Sequence, residues 1–191
     1  MRLIAITKPE FWPGEGQAIC GLLNSGVWRV HVRKPGASAG EMERFLSGIP
    51  EDFRPRLSLH DCFPLAMQGL AGGVHMNRRN PHIPDGFKGM VSRSCHTLEE
   101  IRMSGPEYEY MFLSPIFDSI SKPGYGAHFD LGMLKGCGLI DERVFALGGV
   151  TPERFETIEA IGFGGAAMLS AAWANIHLRP LGQKSLSSDR H

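Results

Sequence analysis

Short apolar runs recur along the whole chain: Leu3–Ile6, Val27–Val32, Leu57–Leu59, Gly73–Met76, Gly89–Val91, Tyr110–Leu113, Val144–Leu147 and Gly165–Leu169. Runs of this length, bounded by turn residues, fit strands buried on both faces. Between most of them lie stretches whose apolar residues return with helical spacing, among them Gln17–Asn24, Ala39–Leu46, Leu98–Met103 and Pro152–Ile161. No Asn-Gly hairpin dipeptide occurs in the connections. Strands that alternate with helices predict a parallel α/β architecture.

Helix-start chemistry supports the same phase. Ser38 stands before Ala39 with Glu41 three residues on, and Thr97 before Leu98 with Glu100 three on; both fit a capping box. Thr151-Pro152 fits a threonine cap followed by proline at the first helical position. The exception is the connection 77–88, where Pro81 and Pro84 interrupt any helical period and predict a loop. The expected fold is a compact single-domain (β/α)8 barrel over residues 1–180, lacking the helix after its fourth strand. A doubly wound open sheet is the runner-up. Residues 181–191 are polar and predict a disordered tail.

Inside a barrel, alternate strand residues point inward and the strand exits build the site. Taking every second residue, the expected inward sets are Leu3, Ala5, Thr7; Arg29, His31, Arg33; Ser58, His60; Gly73, His75; Met90, Ser92, Ser94; Tyr110, Phe112, Ser114; Phe145, Leu147, Gly149; and Ala166, Met168, Ser170. The alternate set, with Val30, Val32, Leu57, Leu59, Val74, Val91 and Leu113, is apolar and faces the helices, with Arg93 as the exception. Most inward series end polar or in glycine, which a purely structural barrel does not need.

Composition narrows the chemistry. Twenty Lys+Arg balance 20 Asp+Glu across 191 residues, which leaves no global footprint for nucleic acid or an anionic membrane, so any anion site is local. Glycine and proline number 24 and 13, enough to mark many loops or close approaches to a ligand. Cys20, Cys62, Cys95 and Cys137 stand far apart, and the chain starts without a signal-peptide pattern, so reduced thiols and a cytoplasmic location are expected.

Three groups of residues carry candidate chemistry. His31, His60 and His75 share one phase at neighbouring strand exits and suit donors to an anion, ring-stacking partners or an acid/base pair; lacking i, i+4 spacing, they are a weaker fit to a metal. Gly148-Gly149 ahead of Thr151-Pro152, with Leu169 and Ser170 after the last strand, suits a phosphate cradle between the last two strands. Ser119, Ser121 and Lys122 form a hydroxyl and cation clamp in the loop after strand six. Arg33 and Lys34 add cations, and the carboxylate of Asp61 suits magnesium.

Taken together, VHVRKP (30–35), LHD (59–61), GGVHMNRRN (72–80), SCHTLEE (94–100), LSPIFDSISKPG (113–124), ALGGVTPE (146–153) and GFGGAAMLSAAW (162–173) resemble the thiamine phosphate synthase family and its sister branch, the thiazole tautomerases. The resemblance implies a (β/α)8 barrel that joins a pyrimidine diphosphate to a thiazole phosphate. Pyrophosphate leaves first, and the thiazole nitrogen then attacks a pyrimidine-methyl cation. It further implies that Arg33 and Lys122 hold the diphosphate, that Ser94 lies on the pyrimidine side, that Ser119 and Ser121 stand for loop threonines, and that Gly149, Leu169 and Ser170 cradle the thiazole phosphate. Asp61 is the implied Mg²⁺ ligand.

The chain departs from that pattern at several points. His31 replaces a glutamine, Pro35 a lysine and His60 an asparagine, while Asn80 stands where a second magnesium carboxylate is expected. The tautomerase histidine falls at Pro115. Arg78 and Arg79 are additions whose charge can replace part of the metal's. The expected partners are small phosphorylated pyrimidine and thiazole ligands, with no nucleic acid and no membrane; a homodimer stays open. A thiazole phosphate tautomerase and a non-catalytic regulatory binder of phosphate ligands are the alternatives.

Overall fold

The apolar runs become β1 (Arg2–Ile6), β2 (Arg29–Val32), β3 (Leu57–Leu59), β4 (Gly73–Met76), β5 (Met90–Cys95), β6 (Tyr110–Leu113), β7 (Val144–Ala146) and β8 (Gly165–Met168). The structure is a computed structural model and describes residues 1–118 and 129–173. All neighbouring strands pair in parallel and in chain order, and β8 returns to β1 to close the barrel. The open-sheet alternative is thereby excluded.

The connecting helices are α1 (Glu15–Asn24), α2 (Ala39–Ser47), α3 (Phe63–Met67), α4 (Leu98–Arg102), α5 (Leu131–Gly136), α6 (Phe155–Ile161) and α7 (Ser170–Trp173). Ser38 and Glu41 form the expected reciprocal capping box on α2, and Thr97 accepts from the Glu100 N–H at the start of α4. Thr151 makes no such bond; Pro152 instead opens a 3₁₀ turn (Pro152–Arg154) that leads into α6. No helix forms between β4 and β5, as the prolines require. Strand β5 runs on to Cys95, beyond the expected end at Val91, because its polar residues are paired inside the barrel.

Two apolar clusters divide the molecule. The larger lies between strands and helices and includes Val30, Val32, Leu57, Leu59, Val74, Leu113, Ile158 and Trp173; the smaller fills the barrel with Ile4, Ile6, Tyr110, Phe112, Phe145 and Ala167. The inward phase is as expected for β2 through β7. It is reversed in β1 and β8, where Ile4, Ile6 and Ala167 point in while Ala5, Ala166 and Met168 belong to the outer layer. Both strands are apolar on every residue after Arg2, so their alternation carries no phase. Thr7, taken as an inward exit, instead reaches sideways: its hydroxyl accepts from the Arg33 N–H at 2.9 Å.

The barrel bottom is closed by Trp28 stacked on Phe145 at 5.6 Å, with the Arg2 guanidinium 4.7 Å from the Trp28 ring. At the other end, Trp173 on α7 donates its indole N–H to the Ile6 carbonyl at 2.7 Å, fixing the chain's return over β1. Phe145 fits only because position 165 has no side chain: a Cβ there would lie 2.1 Å from the Phe145 ring. Gly165→Ala should therefore destabilise the fold by about 2–3 kcal/mol. Chemical denaturation checks this, and adding Phe145→Leu should recover part of the loss; no loss, or no recovery, would contradict the packing account.

Candidate active site

The side of the barrel formed by β2–β5 is filled with polar groups. Arg29, 5 % exposed, donates from Nη1 to the Leu57 carbonyl at 2.9 Å and to Ser58 Oγ at 3.1 Å, and from Nη2 to the Pro55 carbonyl at 2.9 Å. Above it, His31 Nε2 and the Tyr110 hydroxyl share a 2.6 Å hydrogen bond, and His31 Nδ1 shares one of 2.9 Å with His60 Nε2. His75 lies in line with Ser92 Oγ at 2.8 Å and Ser94 Oγ at 2.9 Å. The His60 and His75 rings stack with centroids 4.3 Å apart, and Phe112 covers His31 and His75 at 4.8 Å each.

The three histidines predicted from one strand phase do converge, with one ligand atom of each within 4.8 Å of the others. Five of their six nitrogens are already committed, however, and only His60 Nδ1 makes no hydrogen bond among the described residues. His31 and His60 bond each other, and both His75 nitrogens meet hydroxyls, so a metal would displace paired groups. His31 and His75 are fully buried, and only His60 reaches the cavity above. The expected ligand-binding role of His31 and His75 is thus corrected to a floor: they orient Tyr110, His60 and Ser94 from below.

That cavity has a volume of about 570 Å³ and opens at the strand exits. Its floor is Ile6, His60, Phe112 and Ser94, with Leu147 and Leu169 on the β7–β8 side, and Tyr108, His96 and Ser114 along β5–β6. Arg33, Arg78, Arg79 and Arg93 add cations to the wall, which also includes Met76, Asn77, Pro81 and the acidic Glu100. Among the described residues, the guanidinium groups of Arg33 and Arg78 make no hydrogen bond or ion pair, and Arg93 contacts only the face of Tyr108, at 5.2 Å. Arg93, on the outward phase of β5, lines the cavity together with Tyr108 and Glu100. An arginine alone in an apolar series is the signal that marks it.

Asp61 sits behind Arg79, which donates Nε to Oδ1 at 3.1 Å and Nη2 to Oδ2 at 3.0 Å; the Asn80 amide donates to the same Oδ1 at 3.0 Å. Both oxygens of the one carboxylate expected to hold Mg²⁺ are therefore engaged, and its neighbour is an uncharged amide that turns a donor towards it. This arrangement does not fit a magnesium ion, which needs anionic oxygens with open lone pairs.

Lys34 is also corrected. It leaves the cationic rim altogether: its ammonium lies between both oxygens of Glu15, at 2.7 and 2.8 Å, and also donates to the carbonyls of Lys8 and Glu10. One residue beyond Arg33, its side chain takes the opposite face. Burial pushes the Lys34 ammonium down and the Glu15 carboxyl up, and their mutual attraction opposes both shifts.

Gly148 and Gly149 take φ values of 90° and 62°. A Cβ on Gly149 would stand 2.4 Å from the Asp118 carbonyl oxygen, so the loop after β6 dictates glycine there. Their N–H groups are not spent on backbone carbonyls among the described residues. Leu169 lines the cavity, whereas Ser170 is exposed at the start of α7. Ser119, Ser121 and Lys122 lie outside the described residues, as does the 181–191 tail. The four cysteines are free, and among the described residues no helix is long and apolar enough to cross a membrane.

A closed parallel barrel with one arginine-lined cavity opening at its strand exits defines a (β/α)8 protein whose pocket lies at the end where such barrels build their sites. Residues 5–172 match the family described as Thiamine monophosphate synthase, and the chain belongs to that family. It is similar to a solved thiamine phosphate pyrophosphorylase from Bacteroides thetaiotaomicron, at 34% identity over 97% of this chain and 90% of that one, with a TM-score of 0.81. A thiamine phosphate pyrophosphorylase from Pyrococcus furiosus shares the fold at 18% identity over 94% of this chain and 89% of that one, TM-score 0.70. A thiamine-phosphate synthase from Parasynechococcus marenigrum is 26% identical over 98% of this chain, which spans 56% of that relative's length.

Burial holds His75 at about 3 and His31 and His60 well below the ordinary imidazole range, and at His31 and His60 the neighbouring rings and nearby arginines add to the effect. The folded chain keeps these rings neutral, while the unfolded chain protonates its histidines near pH 6.5. Stability is therefore complete above about pH 6.5 and falls as acid drives protons onto the unfolded state. For His75 alone the loss is about 2 kcal/mol by pH 5. Thermal melts from pH 7.5 to 5 should show a falling Tm, and His75→Gln should flatten the slope; an unchanged slope in the variant would show that His75 is not held neutral.

Proposed function

We propose that this chain joins a hydroxymethylpyrimidine diphosphate to a thiazole phosphate and releases pyrophosphate, forming thiamine phosphate. The observation that carries the reading is the set of guanidinium groups around one cavity at the strand exits, of which those of Arg33 and Arg78 make no hydrogen bond or ion pair among the described residues, in a chain of this family. Guanidinium forks match phosphate oxygens and stay charged at every working pH.

In the reaction the bond between the pyrimidine methylene carbon and the diphosphate oxygen breaks, and the electron pair leaves with the oxygen. The thiazole nitrogen then gives its lone pair to the same carbon, and no proton moves at the reacting atoms. Two requirements follow: cations must meet the departing diphosphate, and no cation may sit under the carbon that becomes positive. Arg33, at the exit of β2, lines the cavity and is assigned to the first; the family resemblance assigns Lys122 to it as well. The neutral His31–His60–His75 floor meets the second, since a protonated ring below would raise the energy of a nearby carbocation.

The Ser94 hydroxyl, if it donates to His75 Nε2, keeps lone pairs to accept from the pyrimidine. The thiazole phosphate sits against the Gly148-Gly149 backbone, with Leu169 and Ser170 beside it. A tautomerase is not favoured, because the buried rings lie below the cavity and Pro115 occupies the position of that branch's histidine.

The reading is tested by supplying both substrates and following thiamine phosphate and pyrophosphate; no product, with a known synthase working in parallel, would sink it. Arg33→Ala should lower kcat/KM by about a hundredfold or more while Tm stays nearly constant. Lys122→Ala should likewise lose turnover without unfolding, and a large fall in its Tm would point to a structural role.

A further inference from the structure

We propose that in this chain Arg79 stands in place of a divalent cation, so that the diphosphate is held by side-chain cations and its binding and departure are independent of metal. The proposal rests on the diphosphate reading above and deepens it.

Its basis is how Arg79 is held. One edge of the guanidinium, Nε and Nη2, grips the two oxygens of Asp61 at 3.1 and 3.0 Å, while Nη1 makes no hydrogen bond among the described residues. The side chain lines the cavity with Arg33 and Arg78, and the pairing with Asp61 leaves its Nη1 donors for a ligand bound there. A guanidinium fixed on one edge by a carboxylate presents its remaining N–H groups in a set direction, as a coordinated cation would present its open positions.

The loop that carries Arg79 is bolted to the barrel. Asn77 Oδ1 accepts from the Arg79 N–H at 3.0 Å and from the Asn80 N–H at 3.2 Å. Asn77 Nδ2 donates to the His60 carbonyl at 2.8 Å and the His75 carbonyl at 3.2 Å, and Asn80 Nδ2 donates to the His60 carbonyl at 3.0 Å. The cation is thus positioned through the backbone of His60 and His75, two of the three histidines that form the floor. A pre-placed charge loses little freedom when the ligand arrives, and such preorganisation is what makes an electrostatic contact effective.

Charge bookkeeping is consistent with this. A divalent ion between two carboxylates is locally neutral, and so is one guanidinium on one carboxylate. Asn80 in place of a second acid, together with Arg79 in place of the ion, keeps the balance. Asn80 turns its NH₂ towards Asp61 and completes the pair where a ligand oxygen would be required to hold a metal.

Calorimetric titration of the full chain with inorganic pyrophosphate separates the possibilities. In EDTA the affinity should stay within about threefold of that in excess Mg²⁺, and Arg79→Ala should weaken it about tenfold or more in EDTA without lowering Tm. The double variant Arg79→Ala/Asn80→Asp, with its second carboxylate, should bind pyrophosphate only when Mg²⁺ is present. Wild-type binding confined to the Mg²⁺ buffer, or Arg79→Ala binding as tightly as wild type in EDTA, would overturn the proposal and leave the diphosphate reading standing. No binding in either buffer would overturn both.

Discussion

The rest of the site depends on a row of buried polar groups that must be paired with one another and whose imidazoles must stay uncharged. Across β2–β5 the barrel interior carries Arg29, His31, Ser58, His60, His75 and Ser92 where an ordinary barrel core would carry branched aliphatics. Unpaired, each would cost on the order of 1–3 kcal/mol. Here they form a connected set, from Arg29 through Ser58 and Tyr110 to His31 and His60, with His75 stacked beside them between two serine hydroxyls. The opposite half, with Ile4, Ile6, Phe112, Phe145 and Ala167, supplies the dry wall against which the rings stack. That wall makes protonation expensive, and so one arrangement fixes both the shape of the floor and its neutrality.

Most of this architecture is legible in the sequence, because a parallel barrel repeats one rule. Apolar runs alternate with helical periods, and from β2 to β7 the inward residue is chemically unlike the outward one, so alternation alone placed His31, His60, His75, Ser92 and Ser94 on one surface. The rule fails for β1 and β8 for a physical reason. Leu3, Ile4, Ala5 and Ile6 offer no contrast between faces, and Thr7 misleads as the only polar residue nearby because its hydroxyl binds backbone laterally. The depth of the histidines is equally hidden. Whether a strand-end imidazole faces solvent or lies under its neighbour depends on the stagger of adjacent strands, which only the register of β2, β3 and β4 supplies.

Pairing between distant residues is the other part that spacing does not reveal. Lys34 and Arg33 are adjacent cations, and composition alone assigns both to a rim. The strand direction sends one to the cavity and the other into the interior to meet Glu15 on α1. Asp61 looks like a lone metal ligand until the loop after β4 brings back Arg79 and Asn80 from 18 and 19 residues away. That loop has no helical or strand period, so nothing in its pattern says where it returns. Its course is set by Asn77, whose side chain ties the turn to the carbonyls of His60 and His75.

The neutral floor and the cationic wall are two answers to one electrostatic demand. In the proposed reaction a carbon–oxygen bond breaks with its electron pair leaving on phosphate, so negative charge would grow on one side of the cavity and positive charge on the other. A site uniformly positive would hold the diphosphate tightly but oppose the carbocation, while a uniformly neutral one would permit the carbocation and give the diphosphate no reason to leave. Stabilising the transition state more than the ground state requires the two environments to be separated within a single ligand's length. Here the arginines reach the rim on long side chains from strand ends and a loop, whereas the imidazoles stay on short ones within the barrel wall. The separation is thus built from side-chain length and strand position, and it holds only while the barrel keeps the rings dry.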